Sequence, residues 1–282
     1  MSELQTILEG LAFPEGPRWH EGRLWFSDMH AHEVVAVDTE GQRETICEVH
    51  NRPSGLGWLP DGRLLIVSMV DRKLLRMEHD GTLSEHADLS AVAGGNCNDM
   101  VVDAQGRAYV GNFGFDMEGG DEPRPAALAV VTPDGSVQVV AEDLAFPNGT
   151  VITPDGGTLI IGETRARQLT AFDIAPDGSL SNRRVFADVS PSLPDGIALD
   201  EEGGVWVASP RTNEVLRALP DGSVGERIST GDRGAFACML GGADRKTLFV
   251  LVSGSSDPVE CARERTGAIL ATEVRAPGAG LP

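Results

Sequence analysis

Short apolar segments alternate with glycine-containing turns along the whole chain. The clearest are residues 24–26, 64–67, 108–110, 159–161, 205–207 and 248–250, which are rich in β-branched, aromatic and other apolar side chains. Each follows a turn, most often with Gly after Asp or Glu, and glycine supplies the positive φ that tight hairpins need. No helical period of useful length appears. The pattern predicts β-strands joined by hairpins.

These strands belong to a unit that repeats about every 40 to 50 residues, the period of a propeller blade. Each unit has a polar residue at the entrance of a first strand, then a turn, an apolar second strand, a third strand and a more polar fourth strand. Six such units predict an all-β fold, a six-bladed β-propeller of four-stranded antiparallel blades. The sixth unit shows three strands, so we expect the N-terminal segment 4–8 to complete it and close the ring. No linker divides the chain, and we read residues 1–282 as one domain.

The entrance positions of the six first strands carry the candidate chemistry. In a propeller these strands line the central channel, so their entrance residues form one ring: Glu15, Ser54, Asn98, Asn148, Asp195 and Ala237. Two carboxylates and two amides suit a hard divalent cation such as Ca²⁺, Mg²⁺ or Mn²⁺. Two carboxylates in a channel are also costly to desolvate unless a cation compensates them. We therefore predict Glu15, Asn98, Asn148 and Asp195 as metal ligands.

The triplet Pro-Asp-Gly needs separate treatment because it occurs six times. Five copies precede a strand inside a blade and are hairpin turns, at Asp61, Asp134, Asp155, Asp177 and Asp221. Only Asp195 occupies an entrance position. The alternative interpretation of the entrance residues is that Asn, Asp and Glu before Gly simply form turns and accept backbone N–H groups.

Four motifs, in this order and spacing, resemble those of a known family: Pro14-Glu15-Gly16-Pro17-Arg18-Trp19, Asn98-Asp99, Pro147-Asn148-Gly149 and Pro194-Asp195-Gly196. The family is that of the senescence marker protein and gluconolactonase (regucalcin-like), which are six-bladed propeller lactonases. The resemblance covers essentially the whole chain. It implies a metal held by Glu15, Asn148 and Asp195. It also implies that Asn98 contacts the substrate, and in related propeller hydrolases this position ligates or approaches the metal.

The same resemblance marks further substrate-binding candidates. Asn96 stands where sugar-lactone members use an arginine, a departure that argues against a sugar-acid lactone. Asp116 lies near a substrate-contacting acid, in a long loop at 111–125 that we expect to cover the channel mouth in part; the alternative is an acidic, solvated insertion. Arg52 lies on the same face before the second blade and could bind a substrate carboxylate or carbonyl, or be a rim charge.

These features predict a metal-dependent hydrolase of a lactone or ester, a gluconolactonase-like enzyme. The cation, Ca²⁺ in the first place with Mg²⁺, Mn²⁺ or Zn²⁺ as alternatives, would polarise the carbonyl for attack by water. Asp195 and Asn98 are the catalytic candidates. Asp195 would act as general base or attack directly, with Asp99 or Asp116 as other bases. Alternative functions are another metal-dependent reaction, such as organophosphate hydrolysis or biosynthetic cyclisation or isomerisation, and a non-catalytic Ca²⁺-binding propeller.

Composition narrows the partners to a small-molecule substrate. The 282 residues carry 23 Lys and Arg against 43 Asp and Glu, a net charge of −20, which disfavours nucleic acid and anionic membrane surfaces. No apolar run approaches the roughly 20 residues of a membrane helix.

No secretory signal is visible, and four scattered cysteines without a CxxC pair indicate reduced thiols and a cytoplasmic location. There is no G-x-S-x-G, H-E-x-x-H or Walker A motif. Oligomeric state is left open.

Overall fold

Six four-stranded antiparallel sheets form the structure, a computed structural model that describes residues 4–282. In five sheets the strands follow one another in sequence order. The first strands of neighbouring sheets contact each other in a closed ring. This is the six-bladed β-propeller that the sequence predicts, and the fold class is confirmed.

The strands of each blade run outward from the channel. Blade 1 contains β2 (Pro14–His20), β3 (Arg23–Asp28), β4 (Glu33–Val37) and β5 (Arg43–Glu48). Blade 2 contains β6 (Pro53–Trp58), β7 (Leu64–Ser68), β8 (Lys73–Met77) and β9 (Leu83–Asp88). Blade 3 contains β10 (Cys97–Val102), β11 (Ala108–Asn112), β12 (Ala126–Val131) and β13 (Val137–Leu144).

The second half of the ring repeats this order. Blade 4 contains β14 (Pro147–Ile152), β15 (Thr158–Glu163), β16 (Gln168–Ile174) and β17 (Leu180–Asp188). Blade 5 contains β18 (Ile197–Leu199), β19 (Val205–Ser209), β20 (Glu214–Ala218) and β21 (Val224–Ser229). Blade 6 contains β22 (Gly234–Gly241), β23 (Thr247–Ser253), β24 (Gly267–Glu273) and, from the N-terminal end of the described chain, β1 (Gln5–Leu11).

The N-terminal strand closes the ring, as predicted. β1 pairs antiparallel with β24 and becomes the outer strand of blade 6. It runs three residues beyond the predicted segment, to Leu11, which is fully buried. Pairing the last blade with the first part of the chain covers an edge that would otherwise expose unpaired backbone groups.

The core lies between the blades rather than inside any one of them. In the described residues each pair of neighbouring blades shares one hydrophobic cluster. Strand periodicity explains this arrangement, because successive side chains point to opposite faces of a sheet. In β3, Leu24 and Phe26 pack towards blade 6, whereas Trp25 packs towards blade 2. Both faces of each blade are therefore buried, and the first strands are held at fixed positions around the channel.

The described part of the chain contains two short helices that the sequence analysis does not predict. A 3₁₀ helix, Met29–Ala31, follows β3, and helix α1, Pro258–Glu264, lies between β23 and β24. The Asp257 carboxylate caps α1 by accepting the Glu260 N–H at 2.8 Å, and Pro258 occupies its first turn. Seven residues are too few to show a helical period in the sequence. In the described part of the chain, no helix has the length and apolar composition to cross a membrane.

Candidate metal centre and active-site cavity

The predicted entrance residues meet at one end of the channel. Glu15, Asn98 and Asn148 are the second residues of β2, β10 and β14, and Asp195 lies two residues before β18. Backbone bonds join blades 4 and 5 at this level, since the Gly149 N–H donates to the Asp195 carbonyl at 3.2 Å. All four side chains line the same cavity.

The sixth entrance position is Phe236, not Ala237 as the sequence alignment of repeats predicts. The Gly196 N–H donates to the Phe236 carbonyl at 2.8 Å, which repeats the Gly149–Asp195 contact one blade further on. The first strands β2, β6, β10 and β14 carry the same one-residue bulge as β22, so the shift comes from the alignment of the repeats: Ala237 stands where a glycine follows the entrance residue in blades 1, 2, 4 and 5. Phe236 therefore faces the cavity, and Ala237 packs in the core between blades 6 and 1.

Close packing between blades explains why a glycine follows the entrance residues Glu15 and Asn148. A Cβ on Gly16 would lie 2.7 Å from the Ser54 carbonyl oxygen, and one on Gly149 would lie 2.5 Å from the Ile197 nitrogen. Neighbouring first strands approach too closely here for any side chain. The dipeptides Glu15-Gly16 and Asn148-Gly149 thus combine an inward-facing polar side chain with tight packing between blades.

The cavity has a volume of about 230 Å³, with a polar floor and apolar walls. Glu15, Asn98, Asn148 and Asp195 form the floor. We call the walls the apolar collar, and it consists of Phe13, Met29, Met69, Phe113, Met117, Phe146 and Phe236. Four further polar residues lie at its edge, His30, Arg52, Glu118 and Ser256.

The two floor carboxylates lie deep in the channel, where they face the cavity but have little bulk water around them. Burial raises the pKa of Glu15 well above its usual value, and the negative charge of Asp195 raises it further. Burial also raises the pKa of Asp195, an effect that the Asn148 side chain partly offsets and Asp99 reinforces. Without a cation, the fold therefore disfavours the charged form of both groups.

This donor set fits a hard divalent cation. Two carboxylates that repel each other would regain their charged form beside a cation, and the two amide oxygens can complete an all-oxygen environment. Within residues 4–282 no three His, Cys, Asp or Glu side chains cluster as a metal site, so a cation held here would also need the amide oxygens of Asn98 and Asn148. That composition argues against zinc, which prefers His and Cys. Asn98 donates through its Nδ2 to the Pro147 carbonyl at 3.3 Å, which leaves its Oδ1 free to act as a ligand.

A buried ion pair lies beside the floor, between Arg18 and Asp99. The Arg18 Nη2 is 2.6 Å from the Asp99 Oδ1. The same guanidinium donates to the Leu56 carbonyl at 2.8 Å, to the Pro17 carbonyl at 2.7 Å and to the Met100 carbonyl. It therefore ties the first strands of blades 1, 2 and 3 together, and Asp99 is committed to this contact.

The three outer candidates occupy different places. Arg52 lines the cavity and forms an ion pair with Glu118, which extends from the loop at 113–125. Asp116 is exposed, and its carboxylate accepts the Gly119 N–H at 2.8 Å within that loop. Asn96 is half-buried beside Cys97, and neither Asn96 nor Asp116 is among the residues that line the cavity. The loop does cover part of the channel mouth, through Phe113, Met117 and Glu118.

A set of positioning residues escaped sequence reasoning. The last residue of every second strand in the described propeller is polar and buried: Asp28, Ser68, Asn112, Glu163, Ser209 and Ser253. Several hold the segment that leads into a first strand. Asp28 accepts the Phe13 N–H at 2.7 Å, and Glu163 accepts the Ala145 N–H at 2.7 Å. Aligning the six second strands by their final residue would have revealed this pattern.

His30 was also not singled out as a site residue. It lies at the edge of the cavity, with its ring 5.0 Å from that of Phe13. Burial and the nearby positive charge of Arg52 lower the pKa of His30 to about 4. It is therefore neutral at physiological pH.

Fold and site together define a propeller with a floor of carboxylate and amide side chains under a small apolar cavity. The SMP-30/Gluconolactonase/LRE-like region matches residues 13–254 of this sequence. The chain belongs to that family.

Three similar proteins span nearly all of the chain. A 6-deoxy-6-sulfogluconolactonase of Pseudomonas putida is 31% identical over 285 residues, covering 95% of this chain and 93% of its own. A pentonolactonase of Haloferax volcanii is 28% identical over 278 residues, covering 94% and 91%. The crystal structure of a regucalcin from Agrobacterium tumefaciens, with 21% identity, superposes with a TM-score of 0.84 over 100% of this chain and 97% of its own. The family resemblance and the enzyme class, a gluconolactonase-like hydrolase, are confirmed.

Proposed function

We propose that this protein hydrolyses a lactone, or a related ester, with a divalent cation held by Glu15, Asn98, Asn148 and Asp195. The observation that carries the proposal is the pair of floor carboxylates, Glu15 and Asp195, which face one cavity with raised pKa values. Such a pair is unfavourable unless a cation neutralises it. The lactonase names of two relatives support the reaction class.

The cation, when bound, supplies positive charge that draws electrons from the carbonyl oxygen and stabilises the oxyanion as it develops. The chain's own residues supply the proton transfers. A carboxylate oxygen of Asp195 accepts a proton from water while the water oxygen bonds to the carbonyl carbon. The ring C–O bond then breaks, and the proton passes to the departing alkoxide. The product is an open-chain hydroxy acid.

Asp195 is a better base than the two alternatives because of where they lie. Asp99 is bonded to Arg18 and to its own neighbour's N–H, the Met100 nitrogen at 2.8 Å. Asp116 points into its own loop. Asp195 lines the cavity, so its carboxylate can reach a water molecule beside the substrate carbonyl.

Asn98 and Arg52 complete the proposed substrate contacts. Asn98 lies on the floor, where its amide oxygen can bind the cation and its amide N–H group can donate to the substrate carbonyl. Arg52 lies at the cavity edge. Ca²⁺ is the first choice of cation because it accepts six to eight oxygen ligands in irregular geometry. Mg²⁺ and Mn²⁺ are the alternatives. The four cysteines are free in the described structure, and a cytoplasmic location stays a prediction from them.

The decisive variant is Asp195→Asn, which keeps the shape of the side chain but removes its charge and basicity. Loss of a general base costs on the order of 10²- to 10⁴-fold in kcat. The matched control is Asp155→Asn, from the Pro-Asp-Gly triplet that forms an exposed hairpin and accepts the Gly157 N–H at 3.0 Å. Lactone hydrolysis followed with a pH indicator should fall sharply in the first variant and stay unchanged in the second.

An isotope experiment on the unchanged protein separates the two possible roles of Asp195, general base and nucleophile. In a single turnover in ¹⁸O-labelled water, a general base sends the label into the product carboxylate. Direct attack would place the label in the Asp195 carboxylate, which mass spectrometry of the protein would detect. Near-native activity of Asp195→Asn would remove this residue from the mechanism.

A further inference from the structure

The apolar collar carries an inference about substrate class, which rests on the proposed lactone hydrolysis. We infer that the substrate is a small, uncharged lactone with a hydrocarbon body, rather than a polyhydroxylated sugar lactone or an acidic one. Three observations support this inference, namely the composition of the collar, the charge balance of the cavity and its size.

The collar surrounds the floor on nearly all sides. Blade 1 contributes Phe13, blade 2 Met69, blade 4 Phe146 and blade 6 Phe236, while Phe113 extends from blade 3. The rings pack in two pairs within one hydrophobic cluster. Phe113 and Phe146 stack with centroids 4.4 Å apart, and Phe13 meets Phe236 edge-on at 4.7 Å. A sugar lactone bound here would press several hydroxyl groups against aromatic and methionine side chains, which offer no hydrogen-bond partners; polar side chains other than the floor lie only at the edge, His30, Arg52, Glu118 and Ser256.

An aromatic side chain lines the cavity even at a position where the backbone conformation disfavours it. Phe146 adopts a φ of 64°, a conformation that is rare for a bulky residue. Its strand entrance is held by the Glu163 carboxylate, which accepts the Ala145 N–H, and by the Thr164 N–H, which donates to the Phe146 carbonyl at 3.1 Å. The fold therefore fixes an aromatic ring at the cavity wall in a conformation that smaller or polar residues adopt more easily.

The charges that face the cavity cancel. A divalent cation would balance Glu15 and Asp195 on the floor, and at the edge Arg52 is paired with Glu118. His30, whose ring lies 5.0 Å from that of Phe13 in the collar, is neutral. Among the lining residues no unpaired cation is left for a substrate carboxylate, sulfonate or phosphate, and Arg52, already paired, can only donate a hydrogen bond to a neutral substrate oxygen, so an uncharged substrate fits best.

The volume of the cavity also limits the size of the substrate. About 230 Å³ is below the range of about 300 to 1,000 Å³ that ligand pockets usually span. One lactone ring and a short alkyl or aryl substituent match such a space. The lactone carbonyl would approach the floor, and the hydrocarbon part would contact the collar.

The test compares three lactones on the 282-residue chain with Ca²⁺ added: a δ-lactone carrying an alkyl chain, D-glucono-δ-lactone, and the alkyl lactone with a terminal carboxylate. We expect kcat/KM for the neutral alkyl lactone to exceed the other two on the order of 10²-fold, since single groups in apolar pockets change kcat/KM by about 10- to 200-fold. A preference for the sugar lactone or the acidic lactone would overturn this inference and leave the proposed function standing. Hydrolysis of none of them would overturn both.

A variant pair tests the collar itself. Met117 is 49% exposed, so Met117→Gln should fold normally while adding a polar group to the wall. We expect about a 10-fold lower kcat/KM for the alkyl lactone and no loss for the sugar lactone. The control is Val185→Gln on the outer strand of blade 4, 59% exposed and distant from the cavity, which should change neither value. An equal loss on both substrates in Met117→Gln would contradict the role of the collar.

Discussion

Replacing Arg18 with methionine tests how much the buried Arg18–Asp99 ion pair beside the floor contributes to the stability of the fold. The Arg18 side chain is 4% exposed and that of Asp99 is 9% exposed, so their ion pair is almost completely shielded from water. Methionine fills much of the same space but carries no charge. Arg18→Met would leave the Asp99 carboxylate without its cation, and the Leu56, Pro17 and Met100 carbonyls without their donor.

The expected loss is large because a buried charge remains unpaired. Removing one partner of a buried ion pair costs about 3 to 5 kcal/mol, a large part of the roughly 5 to 15 kcal/mol by which a domain is stable. The midpoint of thermal unfolding should fall by roughly 6 to 20 °C, taking about 2 to 4 °C for each kcal/mol in a chain of this size.

Equilibrium urea unfolding, followed by tryptophan fluorescence in the presence of a chelator, measures this loss without any contribution from a bound metal. Arg184→Met is the control, because its pair with Asp173 is well exposed and should add little or nothing to stability. The double variant Arg18→Met/Asp99→Asn should regain part of the loss, since no charge is then buried alone. A loss below about 1 kcal/mol in Arg18→Met, or no recovery in the double variant, would refute the reasoning.

Two further predictions concern the floor carboxylates. Glu15→Gln should weaken Ca²⁺ binding, measured by calorimetry, on the order of 10²-fold because one ligand charge is lost. The control is Glu21→Gln in an exposed turn, which should bind Ca²⁺ normally. Unchanged Ca²⁺ affinity in Glu15→Gln would remove Glu15 from the site. In chelated protein, Asp195→Asn should be more stable than the wild type, by a margin that widens as the pH rises from about 4 towards the raised pKa of Asp195. The sign follows because a carboxyl whose pKa is raised by folding binds more protons in the folded state, so the wild type loses stability with rising pH. Urea unfolding at pH 5 and pH 8 checks this, and a margin that shrinks with pH would contradict it.

The fold could be predicted because its signal is repeated. Six copies of one strand and turn pattern show where each blade begins, and the incomplete sixth copy points to the N-terminal strand. Entrance residues in five blades followed from the same register. The sixth prediction, Ala237, was wrong by one residue because this repeat has Ala237 where Gly16, Gly55, Gly149 and Gly196 follow the entrance residue in other blades, so the motif that fixes the alignment is missing.

The apolar collar was harder to predict because its members come from different parts of the repeat. One signal was present: Leu-Ala-Phe-Pro stands directly before Glu15 and again before Asn148, and places Phe13 and Phe146 two residues before the floor. Phe113 and Met117 lie in a loop whose path is set by glycines and turns rather than by strand periodicity. The Arg18–Asp99 pair joins residues 81 positions apart, which a single sequence does not reveal.

The central claim is that one divalent cation on the floor of the channel is required for lactone hydrolysis. The most direct measurement is a titration of Ca²⁺ into chelator-treated, dialysed protein, with the initial rate of hydrolysis of an alkyl δ-lactone recorded at each step. The account predicts no activity without metal and a rise that ends at one equivalent of Ca²⁺ for each chain, together with no such rise in Asp195→Asn. Full activity in the metal-free protein, or a rise without a break at one equivalent, would contradict it.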